Sequence, residues 1–199
     1  MELNLKGKKA LVTGGSKGIG KAIKEALEKE GVEVINWDRE VGIDLLKEIP
    51  KVPEVDFIIH NIGGGGTWEY QYYKEVMQKN YGVMLDIMNK APNTISRVIA
   101  IGSIFGKEAG HNPVFTASKA AMIAYMKSCS KIFTGVTYNC VSPGYINTKD
   151  LIKKEAEEKN IPLGTPQDIA NAVVFLCSDK AKFINGENLT IDGAYSHAF

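Results

Sequence analysis

Short apolar runs alternate with stretches of helical periodicity along the whole chain. Ala10-Leu11-Val12 predicts a buried strand over residues 9–12, after which Ile19, Ala22, Ile23, Ala26 and Leu27 recur at helical spacing until Gly31 supplies a stop. Residues 32–37 read as a second strand, and Val41-Gly42-Ile43-Asp44-Leu45 as a short strand-like piece with no room for a helix before it. Val55-Asp56-Phe57-Ile58-Ile59 is the nearly continuous apolar run of a strand covered on both faces. Residues 72–90 predict a long helix with Val76, Met77, Val83, Met84, Ile87 and Met88 as its buried stripe. Asn80 interrupts that stripe, marking either a local kink or a polar group with a function.

A strand over 97–102, a helix over 116–132 and a strand over 135–141 follow. Ala117, Ala120, Ala121 and Ala124 give the middle helix a close-packing surface. Residues 149–159 are charged and amphipathic. Thr165, Pro166 and Asp168 open a helix through Cys177 with a capping hydroxyl, a proline and an acid near the dipole, and residues 188–191 close the pattern as a last strand. This alternation implies a single α/β domain over residues 1–199: one doubly wound parallel sheet with helices on both faces and ligands at the carboxyl ends of the strands.

Composition narrows the function classes. With 44% hydrophobic residues in 199, one sizeable core is affordable. The formal net charge is +1 and the charges are interspersed, which gives no nucleic-acid footprint. Cys129, Cys140 and Cys177 are odd in number and form no C-x-x-C pair, as expected for reduced thiols. No apolar run approaches a membrane span, and residues 1–6 lack the apolar core of a secretion signal. The expectation is a soluble, cytoplasmic protein. His60, His111 and His197 have no metal-spaced partners, so no metal site is expected.

Chemistry concentrates where strands end. Between the first strand and first helix lies Thr13-Gly14-Gly15-Ser16-Lys17-Gly18-Ile19-Gly20, with no side chain at Gly14, Gly18 or Gly20 to block close backbone approach. Such a turn aims backbone N–H groups and a helix dipole at one point, where an anionic pyrophosphate fits; it equally suits a packing turn. Asp38 ends the second strand about 20 residues on, the spacing at which a carboxylate accepts hydrogen bonds from an adenosine ribose. Lys17 and Arg39 pull the other way, since cations there suit a 2′-phosphate. The expected cofactor is therefore NAD, with NADP possible. Asn61, ahead of four glycines, Ser103 and Ser142 all follow strands.

In this order the motifs are specific, and the chain resembles the short-chain dehydrogenase/reductase family from end to end. The matches are Thr13-Gly14-x-x-x-Gly18-Ile19-Gly20, Asp44-Leu45, Asn61-x-Gly63, Asn80, Ser103, Ala117-Ser118-Lys119, Pro143-Gly144 with Thr148, and Ile191-Asp192-Gly193. The resemblance implies a Rossmann-like fold and hydride transfer between NAD(P) and an alcohol or carbonyl substrate. It assigns cofactor contacts to Gly14, Ser16, Lys17, Gly18, Ile19, Gly20, Asp38, Asp44, Leu45, Asn61, Gly63, Lys119, Pro143, Gly144, Ile146 and Thr148. It places the reaction at Asn80, Ser103, Lys119 and the position of the family's tyrosine. There the tyrosine exchanges the proton, Ser103 gives the second hydrogen bond, Lys119 binds the nicotinamide ribose and lowers the phenol's pKa, and Asn80 holds a water that links Lys119 to solvent.

The tyrosine position departs from the family, because four residues before Lys119 stands Phe115. A phenyl ring exchanges no proton, and losing one general acid typically costs about 10²–10⁴-fold in rate. Three explanations fit: an engineered tyrosine-to-phenylalanine change, a natural homologue that binds dinucleotide as a sensor or partner, or a donor relocated to Tyr145. The intact set of Asn80, Ser103 and Lys119 favours the first. The chain is also short for the family, mostly between Asp38 and Asp44, where a helix and its connections are missing, and the lid region at 150–164 is short as well. Gly63 to Gly66 with Trp68, Tyr70, Tyr72 and Tyr73 could floor a polar, sugar-like pocket. Family members commonly pair through the helices corresponding to 72–90 and 116–132, which implies a homodimer or homotetramer.

Overall fold

A computed structural model describes residues 2–65 and 72–197. Six parallel strands form one sheet in the order β2-β1-β3-β4-β5-β6: β1 is Lys9–Thr13, β2 Glu33–Trp37, β3 Phe57–His60, β4 Arg97–Ile101, β5 Thr137–Pro143 and β6 Asn188–Ile191. The chain steps outward from β1 to β2 and then returns past β1 to begin β3, with Leu11 in register with both Ile35 and Ile58. The direction reverses between β1 and β3, and in such sheets this is where a crevice opens at the carboxyl ends. β3 is buried along its whole length, as its apolar run requires, and so is β5, which carries the polar Thr137, Asn139 and Ser142 inward, whereas the edge strands β2 and β6 stay mostly half-exposed.

Strand alternation sends side chains to two cores. Ala10, Val12, Phe57, Ile59, Ile99, Ile101 and Val141 face α1 (Gly18–Lys29) and α6 (Pro166–Cys177), which supply Ile23, Leu27, Ile169 and Val173. On the opposite face, Val98, Ala100, Tyr138 and Cys140 meet Met122 and Met126 of α4 (Pro113–Ile132) and Met84 of α3 (Val83–Asn89). Over β1 and β2 no helix follows the second strand. Leu45, Ile49, Val52 and Val55 from the non-helical stretch before β3 pack on Leu11, Trp37 and Ile58 in its place.

The expected strand-like piece at 41–45 is corrected: Arg39–Val41 is a single 3₁₀ turn. Asp38 causes this, because its carboxylate accepts from the N–H groups of Glu40 (2.9 Å) and Val41 (3.3 Å), and Gly42 then turns the chain at φ +84°. α4 starts three residues before the expected 116. Asn112 caps it, its Oδ1 accepting from Phe115 N at 3.0 Å, with Pro113 at the first helical position. The expected helix over 72–90 is a rod of three parts, α2 (Tyr73–Met77), a π-helical turn at Gln78–Gly82, and α3. The π turn is centred on Asn80, whose Nδ2 donates to Val76 O at 2.9 Å, so the kink and the polar function fall on the same residue. Thr165 caps α6 as expected, and Asp168 returns the bond in a reciprocal capping box; α5 (Asp150–Glu158) precedes it.

Candidate active site

A cleft of about 850 Å³ opens at the carboxyl ends of β1, β3, β4 and β5. Gly14, Ser16, Lys17, Gly18, Ile19 and Gly20 line one end; Asn61 and Gly63 lie beyond them, and Ser103, Phe115, Lys119, Pro143, Gly144 and Thr148 complete the wall. The glycines are needed by contact as well as by conformation. A Cβ on Gly20 would collide with Gly14 O and Asn61 Nδ2, and Gly18 sits at φ +54° against Thr148. Asn61 fastens this junction, its Nδ2 donating to Thr13 O (3.1 Å) and Gly14 O (3.0 Å).

The first turn of α1 has no side-chain cap, since Lys17 at the capping position offers no acceptor. Gly15 N and Ser16 N are already engaged, by Asn36 Oδ1 and Asp38 Oδ2, each at 2.8 Å. The helix N–H groups from Gly18 onward are thus the ones presented to an anion, with Lys17 beside them. The residues present fit a dinucleotide: a side-chain-free turn, an uncapped helix start, and an extended cleft.

A smaller recess continues from the turn and is lined by Asp38, Arg39, Glu40, Ile43, Asp44, Leu45, Ile62 and Lys79. Partial burial opposes ionisation of Asp38, but hydrogen bonds from Ser16, Asn36 and Glu40 outweigh it and hold the carboxyl below its ordinary range. Each of the three cations around this recess is paired: Lys17 Nζ lies 2.6 Å from Glu40, Arg39 Nε 3.3 Å from Asp44 and Lys79 Nζ 3.8 Å from Glu75.

At the other end, Lys119 is buried on α4. Its Nζ donates to Ile101 O at 2.7 Å and stands 5.8 Å from the centroid of the Phe115 ring. Burial without a counter-charge pushes this amine down to about 8. Ser103, nearly buried, starts the 3₁₀ turn after β4, and its Oγ accepts from Phe105 N at 3.2 Å. Asn80 does not line the cleft. It holds the wall from behind, and a Cβ on Gly63 would stand 2.7 Å from Asn80 Oδ1 and 3.2 Å from Lys119 Nζ.

One expected cofactor contact, Ile146, and the candidate relocated donor, Tyr145, lie apart. The Ile146 side chain is buried in the core beneath the cleft, with its backbone bridged to Gly164. Tyr145, offered as a relocated donor, packs edge-on against Phe105 and Tyr195 and is not among the residues that line the cleft. Of the expected aromatic floor, Gly66, Trp68 and Tyr70 lie outside the described residues, and Tyr72 is exposed. The sequence reading missed Asn36 and Asn112, which act through the backbone at Gly15 and Gly65, and His60, whose burial beside Lys119 shows only in the fold.

A family model described as enoyl-(acyl carrier protein) reductase matches residues 44–196. The chain belongs to the short-chain dehydrogenase/reductase family. It is 34% identical to the 3-oxoacyl-(acyl-carrier-protein) reductase FabG of Rickettsia felis over 235 aligned positions, covering 96% of this chain and 98% of that protein. The alignment is longer than the 199-residue chain, so the relative carries segments that this chain lacks. Among solved structures, a dehydrogenase/reductase from Sinorhizobium meliloti superposes with a TM-score of 0.81 at 26% identity, covering 98% of this chain and 97% of that one. The L-sorbose reductase of Gluconobacter frateurii, solved with NADPH and L-sorbose, superposes with a TM-score of 0.84 at 20% identity over the full length of both and shares the fold.

Proposed function

We propose that the protein is an oxidoreductase that moves hydride between a nicotinamide dinucleotide and an alcohol or carbonyl substrate, carried here in a form whose tyrosine has been replaced by Phe115. The observation that carries this reading is the convergence of Ser103, Lys119 and Phe115 on one end of a cleft whose other end is a built anion cradle. A bound nicotinamide would supply or accept the hydride. The chain's own residues do the rest. The α1 N–H groups and Lys17 neutralise the pyrophosphate, Lys119 donates to the ribose beside the ring, and Ser103 directs a hydrogen bond at the reacting oxygen. Asn80 keeps Gly63 and Gly64 in place behind them.

Asp38 with Glu40 and Asp44 around the recess favours NAD over NADP. The bound NADPH of the sorbose reductase keeps NADP in view. The names of the relatives supply the candidate substrates, 3-oxoacyl thioesters and sugar-like ketoses. We infer a homodimer or homotetramer paired through the α2–α3 rod and α4, working in the cytoplasm. No helix among the described residues is long and apolar enough to cross a membrane.

Phe115→Tyr is the deciding experiment, with NADH or NADPH oxidation followed against acetoacetyl thioesters, ketoses and simple ketones. Turnover is expected to rise by about 10²–10⁴-fold. If dinucleotide binds but the variant turns over no substrate, the second reading that Phe115 favours takes its place: a dinucleotide-binding sensor without catalysis.

A further inference from the structure

The cleft is lined by few ionisable groups. Its charged lining residues are Lys17, Lys21, Lys119 and Lys149; no carboxylate, histidine, cysteine or tyrosine joins them among the described residues. Lys17 and Lys21 belong to the anion cradle and to α1, at the far end from Phe115, and Lys149 sits exposed on the connection into α5. Among the described lining residues, the protic side chains at the Phe115 end are Ser103 and Lys119. A serine hydroxyl is far too weak an acid to give up a proton at neutral pH. An ammonium carries three donors, and Lys119 commits one of them, to Ile101 O.

We propose that Lys119 is the proton source for the reacting oxygen in this Phe115 protein, a role added to its hold on the ribose. The inference rests on the oxidoreductase reading above. In the reductive direction the carbonyl carbon gains a hydride from the reduced nicotinamide, the C=O π pair becomes a lone pair on oxygen, and that oxygen takes a proton from Nζ. The products are the alcohol, the oxidised nicotinamide and a neutral amine, which regains its proton from solvent. Transfer is direct or through one water, the range over which a general acid works.

The surroundings suit an amine that exchanges protons. Ile101 on β4 offers a carbonyl; His60 on β3 and Cys140 on β5 are both held neutral by burial, the first pushed down to about 3 and the second up to about 12; Asn80 adds a neutral amide. No carboxylate among the described residues contributes to the charge environment of Lys119, whose amine burial brings to about 8.

Two measurements test this on the full chain. The first needs no cofactor: competitive acetylation with acetic anhydride across pH, read by peptide mass spectrometry, is expected to give Lys119 a reactivity midpoint near pH 8, well below those of the protein's exposed lysines. The second follows NADH oxidation with a reactive vicinal diketone. Slow turnover is expected, falling as pH rises through that same midpoint, and lost at least tenfold in Lys119→Arg, which keeps the cation but does not release its proton, while NADH still binds by calorimetry. A Lys119 midpoint among those of the exposed lysines overturns the proposal, as does turnover that is flat with pH or unchanged in Lys119→Arg. Absence of turnover in the Phe115 protein with turnover in Phe115→Tyr overturns the proton role and leaves the oxidoreductase reading standing; absence in both, with no dinucleotide bound, overturns both.

Discussion

Asn80 and Gly64 are joined twice. The Asn80 side chain accepts from Gly64 N and donates to Gly64 O, each at 3.0 Å, and so completes for a loop glycine the pairing that a neighbouring strand would otherwise give it. The same amide group donates to Val76 O inside the helix. A π-helical turn thereby ties α2 and α3 to the loop that floors the cleft, and Gly63 is pressed between Asn80 and Lys119 as a result.

Asn80→Ala is expected to loosen that floor without unfolding the protein. It strands the N–H and C=O of Gly64 and returns Val76 O to its helix, a loss of about 1–3 kcal/mol. Hydrogen exchange should speed up at Gly64 and Gly65 and remain slow in β3. Unchanged exchange at Gly64 would show that the loop is held by other contacts.

The fold itself could be read from the sequence because β1, β3 and β4 are apolar runs of the kind covered on both faces, and because the helices carry apolar stripes. What could not be read depended on side chains reaching the backbone across the chain. Asp38 was visible as a strand-end acid, but its capping of residues 39–41, which makes a turn of an apparent strand, depends on where the chain goes next. Asn112 gives no periodic signal, so α4 seemed to start later than it does. His60 stood out in the sequence only as a histidine without a metal-spaced partner, and it is the packing of β3 between β1 and β4 that seals its ring beside Lys119.

His60 gives the stability of the protein a pH signature. Its ring is fully buried, and that burial, with the nearby Lys119 charge adding to it and a backbone hydrogen bond at Asn80 opposing it, pushes it down to about 3. An unfolded chain binds a proton at His60 near pH 6.5 that the folded one refuses, so stability falls as pH drops below 6.5. Between pH 6.5 and 5 the loss should be about 2 kcal/mol. The carboxylates held low in the fold, Asp38 and Asp168 among them, contribute only further down, near the ordinary carboxylate range. Urea denaturation at pH 6.5 and pH 5 should show the drop in the wild-type chain and a much smaller one in His60→Leu. Equal drops in both would assign the effect to another group.

Gly20→Ala tests whether the glycine turn is a packing device as well as a cradle. The new methyl group would run into Gly14 O and Asn61 Nδ2, both fixed by the junction of β1 and β3. Overpacking of this kind costs about 1–3 kcal/mol, which for a chain of this size lowers the melting temperature by roughly 2–4 °C per kcal/mol. Dinucleotide binding should weaken in parallel, because the backbone that moves is the backbone that presents the N–H groups. A variant with unchanged melting temperature and weakened binding would separate the two roles of the turn.

Cofactor choice comes down to who owns the cations around Asp38. Lys17 and Arg39 supply the charge that a 2′-phosphate needs, yet Glu40 and Asp44 hold them. The Lys17 ammonium is raised above its usual range chiefly by its hydrogen bond to Glu40. A phosphate entering the recess would therefore have to displace Glu40 while facing Asp38, whose hydrogen bonds keep it ionised throughout the neutral range. Glu40→Gln removes the competitor without touching the turn, and NADP affinity should rise by roughly tenfold with little change for NAD, since like-charge juxtaposition is what excludes the phosphate. Asp38→Asn should add to the gain and weaken NAD, because a ribose loses a charged acceptor and Ser16 N is left with the weaker amide oxygen. The gain should shrink in high salt, as the pairs involved are exposed to solvent. Calorimetric titration of NAD and NADP into the single and double variants gives both affinities directly. Equal NADP affinity in the parent and in Glu40→Gln would mean that the recess excludes the phosphate by shape and leaves charge without a role.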